Sequence, residues 1–111
     1  MLMTAADYRE SLRSYRPRVF VNGSRVESVA DEPLLAPGIA AIGVTYDLAQ
    51  KPEHGLLMTA RQASSGKTVN RMAHIDESGT DLLYKLEAVR LACRISGCAQ
   101  RYLTHDGLNG I

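Results

Sequence analysis

The sequence predicts a mainly α-helical fold carrying short β-hairpins. Three observations carry this. Apolar residues recur at helical spacing in three separate stretches of the 111-residue chain. An Asn22-Gly23 pair stands between two β-forming runs. The composition is 45% apolar, enough for the core of one small domain over residues 1–111.

The first helix is predicted over roughly 5–14. Thr4 is a good N-cap, Asp7 three residues later completes a capping-box start, and Tyr8, Leu12 and Tyr15 follow at helical spacing. Pro17 ends it. Arg18-Val19-Phe20-Val21 and Ser24-Arg25-Val26 flank Asn22-Gly23, whose two residues must both adopt positive φ, so a tight hairpin is expected.

A loop through Asp31-Glu32-Pro33 leads to Pro37, a suitable first-turn proline. Ile39, Ile42, Tyr46 and Leu48-Ala49 mark a second helix running to about Gln50, where Lys51-Pro52 stops it. Leu56-Leu57-Met58-Thr59-Ala60 and Thr68-Val69-Asn70-Arg71-Met72 are apolar runs around a polar turn and suggest a second hairpin or extended arms. Ser78-Gly79-Thr80-Asp81 opens the longest helix. Its apolar stripe is expected at Leu82, Leu86, Val89 and Cys93, with Lys85, Glu87 and Arg94 off it. Gly97 ends or kinks that helix, and a further helical turn is expected beyond it.

Charge excludes some partners. Thirteen basic and twelve acidic residues give +1, spread along the chain without long runs. No basic stripe with interleaved aromatics is visible, so nucleic acid is not an expected partner. No apolar stretch approaches the ~20 residues needed to cross a bilayer, so no membrane is expected either. The opening Met1-Leu2-Met3-Thr4 lacks a basic region and a cleavage site. Cys93 and Cys98 lie five apart in a predicted helix and point roughly 140° apart around its axis, which argues against a disulfide. A reduced, cytoplasmic setting fits these thiols.

Ser64-Ser65-Gly66-Lys67-Thr68 superficially suggests a phosphate loop. The motif needs a glycine five residues before Gly66, where Arg61 stands, and it should open a helix, whereas Lys67 opens a predicted strand. A plain turn is expected. His54, His74 and His105 are too scattered for a zinc site of local spacing. His54 is expected to be solvated and His74 to make a structural hydrogen bond. Cys93, on the apolar stripe, is expected to pack as a small hydrophobe.

The richest chemistry lies near the end. Cys98, Arg101, Tyr102 and His105 would share one face of a helix, bringing together a thiol, a guanidinium, a phenol and an imidazole. Arg101 suits anion or substrate contact. Tyr102 and His105 have the donor chemistry to bind a phenol or polarise a thioester carbonyl. Such a face does not bury itself against a small core, so further protein is expected to close over it.

With these residues in view, the chain resembles the N-terminal segment of the 4-hydroxyphenylacetate 3-hydroxylase / 4-hydroxybutyryl-CoA dehydratase (vinylacetyl-CoA isomerase) family. The resemblance runs through Met1-Leu2-Met3-Thr4, Tyr8-Arg9-Glu10-Ser11-Leu12-Arg13 and Val19-Phe20-Val21-Asn22-Gly23. It continues in Tyr46-Asp47-Leu48-Ala49-Gln50, Leu57-Met58-Thr59 and Gly66-Lys67-Thr68-Val69-Asn70-Arg71. Ser78, Asp81-Leu82-Leu83 and Cys98-Ala99-Gln100-Arg101 complete it, the last pieces leaning toward the dehydratase branch.

The resemblance implies the N-terminal helical domain of an acyl-CoA-dehydrogenase-like flavoenzyme. It implies FAD, a homotetramer, a CoA ester or a phenol as substrate, and later domains that supply most of the flavin site. In the dehydratase branch a [4Fe–4S] cluster takes two cysteines one helical turn apart from this region, plus a histidine and a cysteine further on. Cys98 matches the first cysteine as a metal ligand, but the second position is Tyr102. A phenol is a poor substitute for a soft thiolate, so the cluster is expected to be absent from this member. In the hydroxylase branch an arginine and an aromatic four residues later contact the phenol. Arg101 matches the arginine, and His105 occupies the later position. Arg101, Tyr102 and His105 are thus the candidate catalytic residues. The reading these residues favour is a dehydratase/isomerase-type flavoenzyme, with a monooxygenase using reduced flavin, or a non-catalytic assembly module, as the alternatives.

Overall fold

A computed structural model describes residues 2–99, in which four helices and two small antiparallel hairpins follow one another along the chain. Helix α1 spans Ala5–Ser14. Its first turn is closed reciprocally: Asp7 N–H donates to Thr4 Oγ1 at 3.1 Å, and Thr4 N–H donates to the Asp7 carboxylate at 2.9 Å.

Strands β1 (Phe20–Val21) and β2 (Ser24–Arg25) pair with Val21 opposite Ser24. Asn22 at φ 49° and Gly23 at φ 80° make the turn that the dipeptide predicts. A 3-10 turn at Val29–Asp31 then returns the chain to α1, where Arg13 grips both Asp31 oxygens at 2.8 and 3.2 Å.

Helix α2, Ala36–Gln50, is the partner of α1. Asp47 Oδ1 accepts the Ala5 N–H at 2.9 Å, and the Gln50 amide donates to Leu2 O at 2.8 Å, so α2 side chains tie down the start of the chain. The helices approach closely because Gly43 has no side chain. A Cβ built there would lie 3.1 Å from Ala5 Cβ.

The run Leu56-Leu57-Met58 does not join a strand as expected. Pro52–His54 forms a 3-10 turn, and Gly55–Met58 follows as the single-turn helix α3. Pro52 presets helical φ at the start, and Thr59 Oγ1 donates to Gly55 O at 2.6 Å, holding the turn closed. The second hairpin is therefore shorter, with β3 (Thr59–Arg61) paired to β4 (Thr68–Asn70) and Ala60 opposite Val69. Ser64-Ser65-Gly66-Lys67 forms its loop, with Gly66 at φ 66°.

Helix α4, Gly79–Ser96, is capped by Ser78 Oγ, which accepts the Asp81 N–H at 3.1 Å. It ends at Gly97, whose φ of 70° is left-handed and whose N–H donates to Cys93 O at 2.9 Å. No helix among the described residues is long and apolar enough to cross a membrane.

The core is Leu48, Ala49, Met58, Met72, Ala88, Val89 and Ala92, with Cys93 partly buried against it. The buried face of α4 differs from the predicted stripe. Lys85, Ala88, Val89 and Ala92 point inward, whereas Leu82 and Leu86 stay 41% and 42% exposed. The helix is turned by roughly 80° from the expected orientation. Two small residues on the inner face let α4 approach α2 and α3 closely, and Lys85 goes inside because polar partners await it there.

Gly43→Val should destabilise the fold by about 1–3 kcal/mol through overpacking against Ala5, read as a lower urea midpoint. Gly43→Ala should cost less, because helix propensity returns ~1 kcal/mol.

Candidate functional site

Three places in this fold bear on function. The first is the end of α4. Cys98 lies just past the Gly97 cap, outside the helix, with an exposed thiol 3.3 Å from Ser96 Oγ. Arg101, Tyr102 and His105 lie outside the described residues, so the shared face expected for them with Cys98 is not part of this description.

The second is an apolar groove of about 480 Å³ between α1, α2 and the segment after β4. Its walls include Leu35, Ile39, Ile42, Tyr46 and Met72, with Tyr8 opposite. The Tyr8 and Tyr46 rings stack at 4.8 Å between centroids, 18° from parallel. Burial pushes both phenols up, and for Tyr46 the neighbouring Tyr8 adds to this, so both remain protonated donors at neutral pH. Asn70 closes one end, its amide donating to Thr45 O at 3.2 Å and its carbonyl accepting the Met72 N–H at 2.9 Å.

The third is a buried polar network that sequence patterns did not reveal. Arg71 is 5% exposed, His74 2% and Lys85 0%. Arg71 donates through Nε to Leu57 O at 2.6 Å and through Nη2 to Thr59 O at 2.6 Å, taking up carbonyls where α3 runs out. Its Nη1 lies 3.6 Å from Asp81 Oδ1, and the guanidinium sits 5.0 Å over the Tyr84 ring. Asp81 in turn meets His74 Nε2 at 3.1 Å and accepts the Glu77 N–H at 3.0 Å. Lys85 Nζ donates to His74 O and pairs with Asp76 Oδ1 at 3.3 Å.

His74 thus makes the structural contact expected of it. Lys85 is the correction: a helix position predicted to face outward holds a fully buried Nζ. The only sequence hint was the pair of small residues, Ala88 and Ala92, that follows it at helical spacing. The Glu77 N–H, then His74, hold the Asp81 carboxyl below the usual carboxylate range. Ligand atoms of His74, Glu77 and Asp81 lie within 4.8 Å of one another, a spacing open to a cation. Within this trio the Asp81 carboxylate already has a cation beside it, the Arg71 guanidinium at 3.6 Å.

These elements make a mainly helical unit with two small antiparallel hairpins, an apolar groove and a thiol just past the end of α4. The profile described as 4-hydroxyphenylacetate 3-hydroxylase N terminal matches residues 4–111, and the chain belongs to that family. It is 39% identical over 112 residues to the 4-hydroxybutyryl-CoA dehydratase/vinylacetyl-CoA-Δ-isomerase of Clostridium aminobutyricum, covering 100% of this chain and 23% of that protein. The oxygen-tolerant archaeal 4-hydroxybutyryl-CoA dehydratase of N. maritimus superposes with a TM-score of 0.82 at 35% identity, over 98% of this chain and 22% of that one. The oxygenase component of 4-hydroxyphenylacetate 3-monooxygenase, solved with FAD, shares the fold at a TM-score of 0.66 and 24% identity, over 82% and 19% of the two chains. The chain therefore spans about a quarter or less of these relatives, matching their N-terminal region.

The depressed Asp81 carboxyl stabilises the fold above the carboxyl's unfolded value, and that contribution is lost as pH falls through the lower folded value. Denaturant midpoints measured from pH 6 downward should therefore drop in acid. Asp81→Asn should lower the midpoint at pH 6 and make the acid limb shallower, since position 81 no longer titrates while Asp7 and Asp31 still do.

Proposed function

We propose that residues 1–111 form a single N-terminal helical domain of a flavin-dependent enzyme of the 4-hydroxybutyryl-CoA dehydratase/vinylacetyl-CoA isomerase type. The observation that carries this reading is the graded likeness. Identity is 39% and 35% to two dehydratases, and 24% to the monooxygenase oxygenase. The remainder of the enzyme supplies the FAD site, and the assembly is a cytoplasmic homotetramer acting on a small CoA ester. FAD, when bound, contributes the redox chemistry.

This chain's own share is one wall of the substrate site. Arg101 holds the anionic or carbonyl end of the substrate as a bidentate donor. Tyr102 and His105 orient and polarise the thioester carbonyl through their O–H and N–H groups. Cys98 lies on the same wall.

A [4Fe–4S] cluster does not fit the residues present. Cys98 supplies a single soft donor, and the position one turn on carries the phenol of Tyr102. Its Sγ has a serine hydroxyl as neighbour. The same substitution favours one second reading, a monooxygenase that hydroxylates a phenol with reduced flavin, because that chemistry uses no cluster.

Crotonyl-CoA turnover by the complete enzyme, set against reductase-dependent oxygen uptake with a phenol, separates the two. Turnover of the ester is expected, and Arg101→Ala should lower kcat/KM by about 100-fold. Anaerobic iron and acid-labile sulfide assays should fall well short of cluster stoichiometry. About four of each per subunit would sink the inference from Tyr102.

A further inference from the structure

The arginines that look dispersed in the sequence are gathered by the fold. Residues 9–27 carry five arginines against two glutamates, so this stretch holds +3 in a chain whose total is +1. The end of α1, the link through Pro17, and the segment from β2 to the 3-10 turn enclose a cleft of about 420 Å³. Arg13, Arg16 and Arg25 line it, together with Tyr15 and Ser28.

Their circumstances differ. Arg13 is neutralised by Asp31 at 2.8 Å and by Glu10. The Arg13 hydrogen bonds, then that from Ser28, hold the Asp31 carboxyl down to about 2, so this carboxylate stays charged and committed to the arginine. Arg16 and Arg25 make no hydrogen bond or ion pair among the described residues. Two uncommitted guanidinium forks in one polar cleft match the geometry of phosphate oxygens. Glu27 also lines the cleft and opposes an anion, which sets the affinity rather than the class of ligand. Tyr15, 70% exposed at the same cleft, offers a flat face for a purine ring.

We propose that this cleft binds the phosphorylated adenosine end of a coenzyme A ester, with Arg16 and Arg25 on phosphate and Tyr15 against the base. The proposal rests on the CoA-ester reading above. It places the recognition of the carrier on a different part of the domain from the end of α4.

The test is calorimetric titration of the full chain with adenosine 3′,5′-bisphosphate, CoA, 3′-dephospho-CoA and inorganic phosphate at low salt. CoA and the bisphosphate should bind. Arg16→Ala with Arg25→Ala should weaken both by about tenfold or more, leaving the circular dichroism spectrum unchanged since both side chains are exposed. Tyr15→Ala should weaken the bisphosphate and leave inorganic phosphate unaffected. Binding that persists in the double variant would overturn the proposal. So would inorganic phosphate binding as tightly as CoA, no binding of either nucleotide, or a preference for a DNA oligonucleotide over both. Crotonyl-CoA turnover is scored separately: turnover without bisphosphate binding refutes the cleft alone, and bisphosphate binding without turnover refutes only the dehydratase reading.

Discussion

Arg71 is the residue on which the arrangement of this chain most depends. Helix α3 is a single turn that passes directly into a strand, so the carbonyls beyond Gly55 have no helical partners. One guanidinium takes up those of Leu57 and Thr59 and reaches Leu56 O at 3.4 Å. The same group pairs with Asp81 in the first turn of α4 and lies over Tyr84 in the second. A planar, five-donor fork can serve a strand, a helix end and a carboxylate together, which a lysine cannot. Desolvating it is costly, and each extra partner offsets part of that cost. The network is therefore all or nothing: removing Asp81 or the carbonyls would leave a buried charge short of partners.

From this cluster the orientation of α4 follows. Apolar periodicity alone allows two inner faces, one through Leu82 and Leu86, the other through Ala88 and Ala92. The second prevails because Lys85 then meets His74 O and Asp76, while small residues pack beneath Leu48 and Met58. Burying the leucines would gain roughly 25 cal/mol per Å² of apolar surface. It would also strand the Lys85 partners and pull Asp81 from Arg71. Losing one partner of a buried pair costs about 3–5 kcal/mol, so the polar cluster outweighs the leucines.

What the sequence makes legible here is chemistry that acts within a few residues. Thr4 with Asp7, Asn22-Gly23, Ser78 with Asp81, and Gly97 each fix a boundary through contacts no further than one turn away. Those boundaries are found where the residues predict. The short α3 escapes because three consecutive apolar residues suit a strand and a buried turn equally, and the deciding donor, Arg71, is 14 residues from Leu57. Lys85 escapes for the same reason, its acceptor at His74 being 11 residues away on another element. The arginine cleft is invisible to any linear reading, since α1 and β2 meet only once the hairpin turns back. Of the candidate site, the residue types at 98, 101, 102 and 105 are legible; their mutual geometry depends on packing that the linear pattern does not encode.

The two ends of α4 are built in opposite ways, and this bears on the site at its far end. The N-terminal turn is held by a serine cap, an ion pair, a histidine and a cation–π contact. The C-terminal turn is closed by the Gly97 N–H on Cys93 O, with Gly97 left-handed and Ser96 Oγ 3.3 Å from Cys98 Sγ. Eighteen helical residues at ~1.5 Å each make α4 about 27 Å long, and it carries the rotation set at Asp81 and Lys85 to its far end beside Cys98. A helix transmits that rotation rigidly, because its backbone hydrogen bonds fix each residue relative to the last. The rotation of α4, and with it the place of Cys98 just past its end, is thus tied to the buried charges around His74.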